Sequence, residues 1–108
     1  MGSRKPMRSR KSFGFLVGEH VTRASSNLQT AGVNIEEMRK AMFSGMSCRT
    51  VAGWAQLAGR SLASAMTNIM AADSPRALSN EYRRMDRKYV ATERLYYRRC
   101  LSDKETRS

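Results

Sequence analysis

The last third of the chain constrains the fold most strongly, because side chains that can be buried recur there every three or four positions. They are Leu78, Tyr82, Met85, Tyr89, Thr92 and Tyr96. At about 100° of rotation per residue, these positions fall in one narrow arc of an α-helix. Ser74 is a good N-cap, and Pro75 suits the first helical position, where its missing amide hydrogen is not needed. We therefore predict one long amphipathic helix over residues 75–101.

The opposite arc of this predicted helix carries arginines. They are Arg83, Arg84, Arg87, Arg94 and Arg98. The acids of the segment, Glu81, Asp86 and Glu93, lie outside the centre of that arc, so few arginines have an acid three or four positions away. Because an ordinary solvated helix surface mixes charges of both signs, this arc indicates contact with an external polyanion.

Positive charge is concentrated at both ends of the chain. The 108 residues include 20 Lys or Arg and 9 Asp or Glu, a formal net charge of +11. Residues 1–12 contain basic residues and no acid, and we predict a disordered arm there that assists nucleic-acid binding; a tail that only keeps the chain in solution fits the composition equally well. The basic residues of this arm are Arg4, Lys5, Arg8, Arg10 and Lys11. Residues 102–108 form a polar tail.

The centre of the chain contains apolar spacing and cap signals that are typical of helices, and no strand pattern. We expect four shorter helices before the long one, at approximately residues 13–31, 35–44, 48–58 and 61–72. Gly32 and Gly45 are the expected ends of the first two, and Asn34 with Glu37 matches a capping box. The predicted fold is therefore all-α, with four to five helices in a domain over residues 13–101.

The boundary between the third and fourth predicted helices is the least determined. Ser47 or Thr50 can cap the third helix, and Gly59 to Ser61 reads as a tight turn. A continuous helix over residues 51–72 is the competing interpretation, because glycine costs a helix interior only about 1 kcal/mol. In either case the small residues Ala52, Ala55, Gly59 and Ala63 would let another helix approach closely.

The segment from Val51 to Ser61 resembles the first helix and turn of helix-turn-helix transcription regulators. Ala55, then Gly59, then the polar Ser61 follow that pattern, although Arg60 stands where an apolar residue is usual. The resemblance implies that the exposed side of the second helix reaches base edges. Its residues there are Arg60, Ser64, Thr67 and Asn68. An alanine-rich helical hairpin that serves only as core is the alternative.

A second resemblance is to FlhD-like flagellar master regulators. It rests on the run from Gly32 to Met38, which precedes a serine-capped helix. It implies the same broad class of helical transcription regulators.

The tyrosines at 82, 89 and 96 are a heptad apart, which favours a packing seam over exposed rings that stack on bases. The seam can lie against the domain itself or against a second copy, and we predict a homodimer through it. Its residues are Leu78, Tyr82, Met85, Tyr89 and Tyr96.

Nothing in the sequence indicates catalysis, a cofactor or a metal site. His20 is the single histidine, and Cys48 and Cys100 show no ligand spacing, so we expect two reduced thiols and a cytoplasmic protein. No secretory signal is visible, and Arg60 near the midpoint of the most apolar stretch excludes a membrane span.

The sequence therefore predicts a small, dimeric, DNA-binding transcription regulator that contacts phosphates through the last helix. Two alternatives remain open. One is a structural protein that packages RNA or DNA without reading its sequence. The other is a basic helical module that binds an anionic membrane surface or an acidic protein partner.

Overall fold

The computed structural model describes three helices: α1 over Arg4–Phe43, α2 over Cys48–Ala71 and α3 over Arg76–Tyr96. A short π-helix, Tyr97–Leu101, continues α3. The backbone is described for residues 4–101 and the side chains for residues 17–101. Over these residues the fold is all-helical, as predicted, with three helices in place of the four to five that we expected.

The N-terminal boundary differs from the prediction. Because α1 begins at Arg4, the backbone of residues 4–12 belongs to the first helix, where we expected a disordered arm. The side chains of that arm, including all five of its basic residues, lie outside the described part of the chain, as does the tail over residues 102–108.

Helices α1 and α2 form an antiparallel pair, and buried side chains at heptad spacing in both helices pack against each other. The buried residues of α1 alternate in steps of four and three; they include Ala24, Leu28, Ala31, Ile35, Met38 and Met42. Those of α2 continue the pattern; they are Val51, Ala58, Leu62, Ala65 and Ile69, and the C-cap Ala72 is buried as well. This is the repeat of coiled-coil packing, and alanine at many of the buried positions lets the two backbones approach closely.

Helix α3 packs on the α1–α2 pair through the tyrosine row. Leu78, Tyr82, Met85 and Tyr89 lie against one buried cluster, and Tyr96 lies against a second near the α1–α2 turn. The row is therefore an internal packing seam of this chain. Packing of these residues against the domain itself, one of the two predicted alternatives, is confirmed, and the homodimer through them stays a prediction.

Gly32, an expected helix end, and Gly59, an expected turn residue, both lie inside helices and face α3. A Cβ at Gly32 would lie 3.5 Å from Met85 Cε, and a Cβ at Gly59 would lie 3.4 Å from Tyr89 Oη. The Tyr89 hydroxyl donates to the Ala55 carbonyl oxygen at 3.4 Å. The two glycines thus give α3 room to approach the other helices.

The predicted breaks at residues 32–34 and 59–61 are wrong because burial continues on both sides of each. A glycine inside a helix costs about 1 kcal/mol, whereas burying one leucine contributes about 1.5–3 kcal/mol. The predicted capping residue Asn34 is buried in the middle of α1, where its Nδ2 donates to Ser61 Oγ at 3.4 Å. The continuous form of α2, our competing interpretation, is the one observed.

The two turns give mixed outcomes. Gly45 follows α1 with a φ of 74°, and Ser47 caps α2 by accepting from the Thr50 amide at 3.2 Å, so both predictions are confirmed. At the second turn Pro75 is itself the N-cap of α3 and not its first helical residue. Ser74 there has a positive φ of 49° and does not cap the helix.

The π-helix that follows α3 is attached to the region of the α1–α2 turn by a disulfide and by hydrogen bonds. Cys48 and Cys100 form a disulfide with their Cα atoms 5.7 Å apart. The Arg99 guanidinium donates to the carbonyl oxygens of Met42 at 2.8 Å and Met46 at 2.7 Å. The expectation of two reduced thiols is therefore wrong. Disulfides of this kind persist mainly in oxidising compartments, so the structure removes the basis for the predicted cytoplasmic location.

The alanines between α1 and α2 supply a first testable prediction. Ala65 is fully buried, so Ala65→Leu would overpack the pair and lower the free energy of unfolding by about 1–3 kcal/mol. Ala63 is exposed two residues earlier, and Ala63→Leu is the matched control, expected to change stability by less than about 0.5 kcal/mol. Urea unfolding followed by circular dichroism measures both. Equal effects of the two substitutions would contradict the close packing described here.

Candidate nucleic-acid interface

The side of α3 that points away from the other helices carries a row of exposed arginines, which we call the basic face. It consists of Arg76, Arg83, Arg87, Arg94 and Arg98. These residues lie about half a turn around the helix from the buried tyrosines, because α3 uses its opposite side for packing. At 1.5 Å of rise per residue, the row is about 33 Å long.

Few carboxylates approach this face. Among residues 17–101 the ion pairs are Arg23–Glu19 at 2.6 Å, Lys40–Glu37 at 3.7 Å and Arg84–Glu81 at 2.7 Å. Of the predicted binding arginines whose side chains are described, only Arg84 is paired, and it lies at the edge of the face. Arg87 Nε donates to the Arg83 carbonyl oxygen at 3.4 Å, which leaves its charge uncompensated. The basic face therefore has no acidic partner within the described residues.

Charge differs sharply between the helices. Residues 76–101 contain eight Lys or Arg and three Asp or Glu, whereas residues 17–43 contain three of each. Helix α2 has two arginines, at positions 49 and 60, and no acid. The positive potential of the described residues is consequently strongest on the side of α3, where a polyanion would be attracted.

The residues that the helix-turn-helix resemblance selected do not form a recognition surface of the expected kind. Arg60, Ser64 and Thr67 are exposed on α2, which has no turn before them. Asn68 points toward α1: its Oδ1 lies 2.9 Å from His20 Nδ1, and its Nδ2 donates to Asn27 Oδ1 at 2.9 Å. These bonds give Asn68 and His20 a structural role between α1 and α2.

Sequence reasoning missed two residues of this region. Arg76 precedes Arg94 by eighteen positions, which is five helical turns. The same angular spacing that groups the other arginines therefore also places Arg76 on the basic face. Tyr97 is 45% exposed and stands beside Arg98, whereas the heptad spacing selects its half-buried neighbour Tyr96. The rings of Tyr96 and Tyr97 are 5.6 Å apart between centroids and tilted by 52°.

A groove of about 360 Å³ lies between α2 and α3, along the tyrosine row of α3. Its walls include polar and aromatic side chains from both helices. They are Gln56 and Arg60 of α2, Tyr89, Glu93 and Tyr96 of α3, and Tyr97 just beyond α3. The small residues Ala52, Ala55 and Gly59, which we expected at a helix crossing, form the floor of this groove.

Two tyrosines of α3 that pack against the other helices have raised pKa values. Burial raises the pKa of Tyr89 to about 12, and the neighbouring Glu93 carboxylate adds to the shift. Burial also raises the pKa of Tyr82, with a smaller effect from Asp86. Both phenols are therefore neutral in the folded protein at physiological pH, and neither opposes the charge of the basic face.

Over the part of the chain that the structure describes, no three His, Cys, Asp or Glu side chains are grouped so that they could hold a metal ion. None of the three helices, over the same residues, combines the length and apolar character that crossing a bilayer requires. Comparisons with protein-family models, with curated proteins and with solved structures find no match to this chain.

Proposed function

We propose that this chain is a nucleic-acid-binding protein that contacts phosphates through the basic face of α3. The observation that carries the proposal is the exposure of Arg83, Arg87, Arg94 and Arg98 with no carboxylate partner among the described residues. Their steps of four and seven residues correspond to about 6 and 10.5 Å of helix rise, so successive side chains can reach different phosphates. Arginine suits phosphate because its planar guanidinium binds two oxygens at once.

Binding that requires no defined sequence of bases is the form of this function that we favour. Helix α2 runs without a turn through Gly59, and Asn68 is engaged by α1, so α2 lacks the features expected of a recognition helix. A DNA-binding regulator, which the sequence predicts, differs from a packaging protein in one measurable way. A regulator keeps its bound site against an excess of unrelated sequence, and a packaging protein does not.

The packing of α3 favours nucleic acid over a membrane surface. An interfacial helix needs an apolar side that is free to enter the headgroup region. The apolar side of α3 lies on the clusters of α1 and α2 instead. For the same reason, a homodimer through the tyrosine row is not part of the proposal.

Ionic strength tests the proposed function directly. Each phosphate contact should contribute about −0.9 to the slope of log affinity against log salt on duplex DNA, and about −0.7 on a single strand. Four arginines therefore predict a slope of roughly −3 to −4 in fluorescence anisotropy titrations between 50 and 200 mM salt. Affinity that does not change with salt would contradict phosphate binding.

A matched control for this measurement is Arg23→Glu. Arg23 lies on α1 and is paired with Glu19, outside the basic face. We expect this variant to change the salt slope by much less than the roughly 0.9 unit that one phosphate contact contributes, since it removes no proposed phosphate contact.

A further inference from the structure

We propose that the groove between α2 and α3 binds one unpaired nucleobase of a single strand whose phosphates lie along the basic face. The inference rests on the proposed function and specifies its substrate as single-stranded nucleic acid. The groove volume, about 360 Å³, lies at the lower end of the range of roughly 300–1,000 Å³ that is typical of small-molecule sites.

Tyr97 supplies the stacking surface. Its ring is 45% exposed at the edge of the groove, although a tyrosine has enough apolar area to favour burial. Tyr96 stands beside it, with ring centroids 5.6 Å apart, and extends the aromatic wall. Base stacking on aromatic side chains is the usual way in which proteins hold unpaired nucleotides, because every base has a π-face.

The polar walls of the groove match the edge of a base and not a phosphate. The Gln56 amide both donates and accepts, and the Arg60 guanidinium donates, whereas the Glu93 carboxylate only accepts. Glu93 would repel a phosphate, which leaves phosphates on the arginine side of α3. The Glu93 carboxylate would accept a hydrogen bond from an exocyclic amino group, which cytosine carries and thymine lacks.

The groove opens on the flank of α3 between the tyrosine row and the basic face. Glu93 and Tyr97 line it, and each precedes an arginine of the basic face in the chain and lies about 100° around the helix from that arginine. A strand whose backbone follows these arginines can therefore turn one base into the groove. A paired base in a duplex cannot enter without first leaving the stack.

The test compares labelled twelve-nucleotide oligo(dC), oligo(dT) and a duplex of equal length, by anisotropy at one salt concentration. We expect Tyr97→Ala to weaken oligo(dC) binding about tenfold and to leave duplex binding unchanged. Leu95→Ala is the matched control, since Leu95 is 40% exposed on the same helix and lies outside the groove. It should change neither affinity.

A second measurement does not depend on the Tyr97 variant being folded. The natural protein should prefer oligo(dC) to oligo(dT) about tenfold, and Glu93→Gln should reduce that preference, because its amide can also donate to the thymine carbonyls. Salt-dependent binding without a dC preference and without a Tyr97 effect would overturn the base site and leave the phosphate contacts standing. Absence of binding to all three oligonucleotides would overturn the proposed function together with the base site.

Discussion

Reversing two charges at the centre of the basic face, with Arg87→Glu and Arg94→Glu together, is expected to weaken nucleic-acid binding about a hundredfold at 0.1 M salt. Each phosphate contact contributes roughly 0.9 decade of affinity at that concentration through counterion release, and the introduced carboxylates add repulsion. Both side chains are exposed and form no ion pair within the described residues, so the helix should stay folded. Anisotropy titrations measure the loss, and circular dichroism checks the fold.

The control for this prediction is a double variant with the same change in net charge. Arg23→Glu with Arg49→Glu reverses one exposed arginine on α1 and one on α2. If binding depends on the basic face, this variant should lose far less affinity than the α3 variant. Equal losses would mean that total charge, and not the arrangement on α3, controls association.

Removal of the disulfide is expected to have the largest effect on stability. Cys48 and Cys100 are 52 positions apart, and a cross-link that closes a loop of this length stabilises a fold by about 4 kcal/mol in the chain-entropy treatment. The variant with both cysteines changed to serine should therefore unfold at a clearly lower urea concentration than the oxidised natural protein. The natural protein in a strong reductant should unfold close to the variant.

Reductant added to the double-serine variant is the control here, because it can break no bond in that chain. A shift of the urea midpoint in the variant would show that the reductant acts in another way. Identical midpoints of the oxidised protein and the variant would contradict the disulfide. Since Arg99 also binds the Met42 and Met46 carbonyl oxygens, the π-helix should remain partly attached when the disulfide is absent.

The features that could be read from sequence are those with local causes. The basic face follows from the angular spacing of residues within one helix, and Gly45 and Ser47 were identified because turn and cap chemistry depends on a few neighbouring residues. The breaks expected at Gly32 and Gly59 failed for a tertiary reason. Each glycine lies under a side chain of α3, Met85 or Tyr89, and the packing outweighs the local cost of glycine.

The candidate base site could not be predicted from the sequence, again because it depends on tertiary contacts. Gln56, Arg60 and Tyr97 belong to two separate parts of the chain, and only the crossing of α2 and α3 brings them to one groove. The pairing of Cys48 with Cys100 is of the same kind, because it depends on the ends of two helices meeting at the α1–α2 turn.

The sequence by itself determined that this chain is helical and that one side of its last helix is cationic. Both properties arise from the rotation of about 100° per residue, which fixes the side of a helix on which each side chain lies. Only the tertiary structure decided which helices are continuous, that the tyrosine row packs against α1 and α2 of the same chain, and that the two cysteines are joined. Those outcomes depend on contacts between residues far apart in sequence, whose combined burial exceeds the local preferences of single residues.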